Sequence, residues 1–574
     1  MDPTKILTYI SYEEIFGRRS TFDEFVAHLQ RYSKESLVYV CCLIGTLLEL
    51  WKRGSASYEL YEFFVKSAFD PRLVEWLLEN RRVTGSSSVF HRRQLLLVQK
   101  VALLHCSDEG VDALRDNPGF FGVALLMAND HFHYANPSAN EQELENNVLT
   151  EFVAVNEFSG SRVLTTVARA SIMRNEIAPT LTADRSYVDI NRLFGDLTGL
   201  SLDLFGQLCM ATFTKYNTMT LTQVKQSGDS LYLNSRWFYT LPVTSEQMRR
   251  FVDEIGATDQ EYRALFTKKA HFGHNDFTSL KDRPIYLDNR GGLAVDLLFV
   301  VDKFSSGPFW RIHNSLETPE ARQNFRSFWG RVFERYVHRI MQRTCDPVQN
   351  LYVPNPTWIA DGTEVCDAFI VRGNVLICLE YKANMFTAES KYSGVPRLLL
   401  REIKSKLIEN EKGKKKGVGQ LASVIGKLFG SYGSSSGVNE FDMSKVSVVI
   451  PVLVTLDDIG GSFLITKHLG DALNRALPPI RPEVQIKPLF SMSIETLEVL
   501  SGYLKAVPLD VILEEWHISD PALASSLLAN EHPVLKQHGN IRNVVLDQEF
   551  SRIWKGLMES VQSNTSDTEK TLTS

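Results

Sequence analysis

Asp367, Glu380 and Lys382 are the residues whose types and spacing could do chemistry in this chain. They lie on two apolar, β-branched runs, Val365 to Val371 and Val375 to Tyr381, with Gly373-Asn374 between them. A Gly-Asn pair between two such runs reads as a two-residue hairpin loop, with Gly taking the positive φ that the turn needs. With that loop Arg372 pairs with Val375, and counting back along both strands sets Asp367 opposite Glu380. Lys382, two residues further on, points to the same face as Glu380. Directly opposed carboxylates ~5 Å apart repel by about 3 kcal/mol at an effective dielectric of ~20. A divalent cation offsets that repulsion, because hard ions such as Mg2+ or Mn2+ take carboxylate oxygens. Lys382 then adds positive charge at the edge of the site. The alternative is a surface hairpin whose charges merely face water, and the apolar neighbours weigh against it.

Asp367, twelve intervening residues, then Glu380-Tyr381-Lys382 resembles the signature of the PD-(D/E)XK nuclease superfamily, with Cys366 standing where the family name has Pro. The other acid-x-Lys triplet, Glu402-Ile403-Lys404, sits in a basic, helix-like segment with no hairpin before it. The resemblance covers roughly residues 315–510. It implies an α/β fold with a restriction-endonuclease-like core of helix, three strands, helix, strand. It also implies that Asp367, Glu380 and the Tyr381 carbonyl bind Mg2+ or Mn2+ while Lys382 orients the attacking water. The substrate implied is nucleic acid, DNA ahead of RNA, with a role in bacterial antiviral defence or repair as one setting.

The elements that must hold these residues can be read on either side of the hairpin. After Pro319, apolar residues at Phe325, Phe328, Trp329, Val332, Phe333, Tyr336, Val337 and Ile340 form one helical stripe. Glu334 lies on its flank, and two readings of it stand. By the resemblance it completes the metal shell; by pattern alone it is a solvent-facing glutamate. Leu351-Tyr352-Val353 supplies a first strand, Leu421, Val424, Ile425 and Leu428 a second helical stripe, and Val446 to Val454 a long apolar strand. Pro451 inside that strand points to a bulge or an edge. Gln420 matches by position a functional Gln that some relatives carry on the second helix, without the Tyr four residues on.

From Lys391 to Lys427 there are ten Lys/Arg and three Glu, a local excess of seven positive charges. Arg397, Arg401, Lys404, Lys412, Lys414, Lys415 and Lys416 are the candidate phosphate contacts, and such contacts make binding salt-sensitive. The competing reading is a solvated lysine loop. The whole chain carries a net charge of −6, so any nucleic-acid surface is local.

The 574 residues are enough for three or four domains. We expect helices over 1–180, a mixed α+β region over 185–310, the nuclease-like part over 315–510, helices over 511–562 and a disordered polar tail over 563–574. The seven scattered cysteines form no C-x-x-C pair, which argues against a disulfide framework and for a reducing cytoplasm. The most apolar run, Leu37 to Leu48, is too short to span a bilayer. His131-His133 and the pair His271 and His274 lack further ligands at recognisable spacing, so core or loop roles are expected there. No P-loop and no Gly-x-Ser-x-Gly elbow occurs. The N-terminal helices suit a protein partner or a homo-oligomer contact. A partner-gated nuclease and a non-catalytic interaction protein remain the rival readings.

Overall fold

In a computed structural model of the chain, residues 8–572 are described apart from 52–56, 85–86, 114, 117, 133–147, 152, 154–156, 159–162, 220–222, 224–228, 235–242, 269–271, 432–436, 440–441 and 520–531. The protein is mixed α/β and divides into two compact units. One comprises Met1–Ala139, Ile190–Ser315 and Ile553–Ser574; the other comprises Asn140–Asp189 and Leu316–Arg552.

The first unit is mainly helical. Lys34–Trp51 packs on Arg92–His105, which is buried from Arg93 to Leu103. Such all-round burial leaves its polar side chains needing partners. Arg92 finds them in a bidentate pair with Asp296, at 2.7 and 2.6 Å. The expected hairpin forms as Ile285–Asp288 paired with Gly291–Ala294, and Gly256–Thr258 joins it as a parallel third strand. Val295 to Leu297, read as strand, instead leads into a helix, Leu297–Ser305, because the Asp296 carboxylate accepts the Phe299 N–H and caps its start. Thr244 and Gln247 make the capping box that their spacing predicts.

The second unit holds the hairpin. Helix α1 (Pro319–Thr344) is capped by the Thr318 hydroxyl and carries the apolar stripe. Strands β1 (Leu351–Pro354), β2 (Ala368–Arg372) and β3 (Val375–Lys382) follow as an antiparallel meander. Then come helix α2 (Pro396–Ile403), helix α3 (Gly417–Phe429) and strand β4 (Val448–Thr455), which lies parallel to β3 from Val375↔Val448 to Lys382↔Thr455. The sheet is completed by β5 (Gln485–Ile486) and β6 (Phe490–Ser493), both parallel to β4.

The turn behaves as the sequence requires. Gly373 takes φ +57, and Arg372 pairs with Val375 through to Ala368 with Leu379. Side-chain alternation then sorts the faces. Phe369, Val371, Leu376 and Cys378 join Leu421, Ile425 and Leu428 of α3 in one core, whereas Tyr381 turns toward α1, its ring 5.7 Å from that of His338.

Pro451 is neither at a bulge nor on an outer strand. β4 pairs with β5 through Val448 and Val449 and with β6 from Val452 onward, so Pro451 falls in the gap between two partners. The Val449 carbonyl accepts from Lys487 on that outer side, and odd-numbered residues of β4 therefore face outward. The missing N–H of Pro451 points where no acceptor waits.

The tail expected to lack structure is helical instead: Val544–Leu572 forms one helix, consistent with a stretch free of Pro and containing no Gly after Gly556. Seven free, buried cysteines agree with the absence of a disulfide framework. Among the described residues, no helix is long and apolar enough to cross a membrane.

Candidate functional site

The hairpin brings Asp367, Glu380 and Lys382 together at one end of the sheet. Glu380 lies inside β3 and is 2 % exposed. Lys382, last residue of the same strand, donates to Glu380 Oε1 at 2.5 Å. Asp367 stands one residue before the first pair of β2, and its carbonyl accepts the Asn355 N–H at 2.9 Å. Its carboxylate accepts the Tyr381 N–H at 2.5 Å rather than pointing straight across at Glu380. The Lys382 carbonyl accepts from Leu456 beyond β4, and backbone groups alternate sides along a strand. The Tyr381 carbonyl therefore faces the Asp367 side, among the acids.

Burial, with repulsion from Asp367 and Glu364, pushes the Glu380 carboxyl up to about 8 against the pull of Lys382. Burial also raises Asp367, with Lys382 and the Tyr381 N–H acting in the opposite sense. For Lys382, burial pulls the amine down, but Glu380 and Asp367 outweigh it and the net direction is up. The site is thus an acid cluster short of positive charge, with one lysine held tightly on its most buried member.

Glu334 reaches the same end of the sheet from α1. Its Oε1 lies 3.5 Å from His338 Nε2, one helical turn on. His338 is buried and ties three elements together: Nε2 meets Asn355 Oδ1 at 3.0 Å and Nδ1 meets the Tyr352 hydroxyl at 2.5 Å. That hydroxyl lies 3.2 Å from the Tyr381 hydroxyl. Asn355 has φ +46, the one positive value at a non-glycine among the described residues, and from that conformation its N–H meets Asp367. The helix that carries Glu334 and the strand end that carries Asp367 are thereby fixed to one another.

Sequence reasoning missed His338, Asn355, Tyr352 and Glu364. Glu364 belongs to an exposed residue, yet its carboxyl hydrogen-bonds to Asp367; burial of that group, with Asp367 and Glu334, pushes it up to about 7. The spacing of His338 four residues after Glu334 is a signal that could have been used. Glu364 left none, because its partner is set by a turn and not by a motif.

The basic segment divides. Arg397, Arg401 and Lys404 are exposed along α2 and its continuation, and Lys412, Lys414 and Lys415 are exposed in the turn before α3. Lys416 precedes α3 near the hairpin, where burial, Lys414 and Lys382 lower its amine. Gln420 caps α3 by accepting the Gly417 N–H at 3.0 Å. Two members of the run do not face solvent as a charge count suggests. Lys391 pairs with Glu157 and Asp457, at 2.6 and 3.6 Å, and Lys406 pairs with Glu402 at 2.5 Å.

The donors at the hairpin are carboxylates and a carbonyl, the set that Mg2+ and Mn2+ prefer. Among the described residues, no three His, Cys, Asp or Glu side chains already converge on one ion position. Lys382 occupies Glu380 and Asp367 is turned onto the backbone, so side-chain rotation must precede coordination. Of the histidines, His131 lies 5.4 Å from His274 ring to ring, and burial followed by His274 lowers it to about 4; His133 and His271 fall outside the described residues.

No family model, curated protein or solved structure matches this chain.

Proposed function

We propose that the chain is a divalent-cation-dependent nuclease that hydrolyses phosphodiester bonds, with DNA the favoured substrate. The observation that carries this reading is the meeting of Asp367, Glu380 and Lys382 at one sheet end, from strands joined by one two-residue turn. The order helix, three strands, helix, strand across α1 to β4 supports a restriction-endonuclease-like core. Asp367, Glu380 and the Tyr381 carbonyl would hold Mg2+ or Mn2+, with Glu334 a further ligand. A bound cation of this kind lowers the pKa of water and neutralises charge on a phosphate. Lys382, released from Glu380, orients the attacking water and stabilises developing negative charge. Asn355 and His338 keep Asp367 and Glu334 in place. The exposed Arg397, Arg401 and Lys404, with Lys412, Lys414 and Lys415, give a phosphate backbone a path to the site. Supercoiled DNA incubated with the purified chain and Mg2+ or Mn2+ should be nicked or degraded, and Lys382→Ala should abolish cleavage. Equal cleavage by the variant refutes the assignment.

The 2.5 Å contact between Lys382 and Glu380 favours one variation. A site closed on its own lysine suits an enzyme held silent until a partner opens it. That variation predicts little cleavage by the isolated chain and a gain when the partner is added; full activity alone rules it out.

A further inference from the structure

We propose that Glu364 is a cation ligand at the mouth of this site, sharing with Asp367 and Glu334 a second divalent ion beside the one held by Asp367 and Glu380. The inference rests on the nuclease reading and adds to it a residue that the Asp…Glu-x-Lys pattern does not supply. Glu364 lies three residues before Asp367, where the isolated bridge Thr357↔Glu364 carries strand pairing beyond the ends of β1 and β2. The backbone around it is fixed: Val365 donates to the Pro356 carbonyl at 2.7 Å, and Trp358 donates to the Thr363 carbonyl at 2.8 Å. This anchoring sets where the side chain starts.

The side chain itself could swing into water, since the residue is exposed. It hydrogen-bonds instead to another acid, Asp367, with a third, Glu334, close enough to act on it and only His338 on the opposing side. Two carboxyl groups in contact require a positive charge shared between them, from a proton or from a cation. The lysines do not provide it at this end. Lys382 is bound to Glu380 at 2.5 Å, and Lys416 lies toward Lys382 and Glu380. A cation between Asp367 and Glu380 would leave Glu334 and Glu364 without compensation, and a second ion there supplies it. Because Glu364 is the exposed member of the group, that ion is placed where a phosphate arriving from solvent would meet it first.

Mn2+ binding to the full chain at pH 8, measured by calorimetry and by the paramagnetic resonance signal of free Mn2+, tests this without reference to cleavage. Wild type should bind two ions. Glu364→Gln should bind one, with the affinity for the remaining ion changed by less than ~3-fold, and Asp367→Asn should weaken all binding by roughly 10- to 100-fold, the loss usual when a metal site is damaged. Glu364→Gln is nearly isosteric at an exposed position, and an unchanged circular dichroism spectrum identifies it as folded. Two ions bound to Glu364→Gln with wild-type affinity, or one ion bound to both proteins, overturns the role of Glu364 and leaves the nuclease reading intact. No Mn2+ bound to wild type, or wild-type binding by Asp367→Asn, overturns both.

Discussion

Replacing Glu380 by Gln should change how stability depends on pH, and the size of the change follows from burial. The Glu380 carboxyl rises from 4.5 to about 8 on folding, chiefly because it is buried. A folded value above the unfolded one means that the native state binds the proton more tightly. Stability contributed by the protonated group is then present below pH 4.5 and lost as pH rises toward 8. At 1.36 kcal/mol per pH unit, the loss amounts to roughly 3–5 kcal/mol between pH 5 and 8.5. Glu380→Gln keeps the shape and can still accept from Lys382, but has nothing to ionise, so its profile should lack that fall. Urea unfolding in EDTA, followed through the buried Trp329 and Trp358 of the same unit, measures the difference. Mn2+ at about 100 times its dissociation constant should return ~3 kcal/mol to wild type at pH 8.5, and little to the variant. Parallel pH profiles for the two proteins would refute the argument that Glu380 is a buried acid short of positive charge.

Two further outcomes follow from the same reasoning. Reversing Lys412, Lys414 and Lys415 to Glu should weaken DNA binding at low salt and flatten the dependence of log affinity on log salt by about three, as gel-shift titrations at several ionic strengths would show. Away from the site, Arg169→Leu strands Glu498, which is buried, 2.8 Å from Arg169 and 2.5 Å from the Tyr336 hydroxyl. It should destabilise the second unit by roughly 3–5 kcal/mol, read as a drop in urea midpoint.

The hairpin was legible because its information is local. Gly373 at positive φ dictates the turn, the turn dictates the register, and the register puts Glu380 and Lys382 on one face. The helical stripe from Phe325 to Ile340 was legible for a similar reason, since every spacing lies within one element. The joining of His338 to Tyr352 and Asn355 was not, because each partner sits on a different element and no short-range pattern links them. Glu364 was hidden because its contact with Asp367 depends on the path of the loop between β1 and β2. The basic run was overcounted at Lys391, whose partners Glu157 and Asp457 lie far away in sequence. For the same reason, nothing local announces that Asn140–Asp189 packs with residues 316–552 and not with the helices before it.

The central claim is that Asp367 and Glu380 share a divalent ion beside Lys382. Crystals grown without divalent metal and then soaked in Mn2+ at pH 8 would test it through the anomalous signal of manganese. The account predicts a peak between the two carboxylates, ~2.1–2.4 Å from an oxygen of each, with Lys382 displaced from Glu380. Saturating Mn2+ that leaves no peak there, with Lys382 still 2.5 Å from Glu380 Oε1, would contradict it.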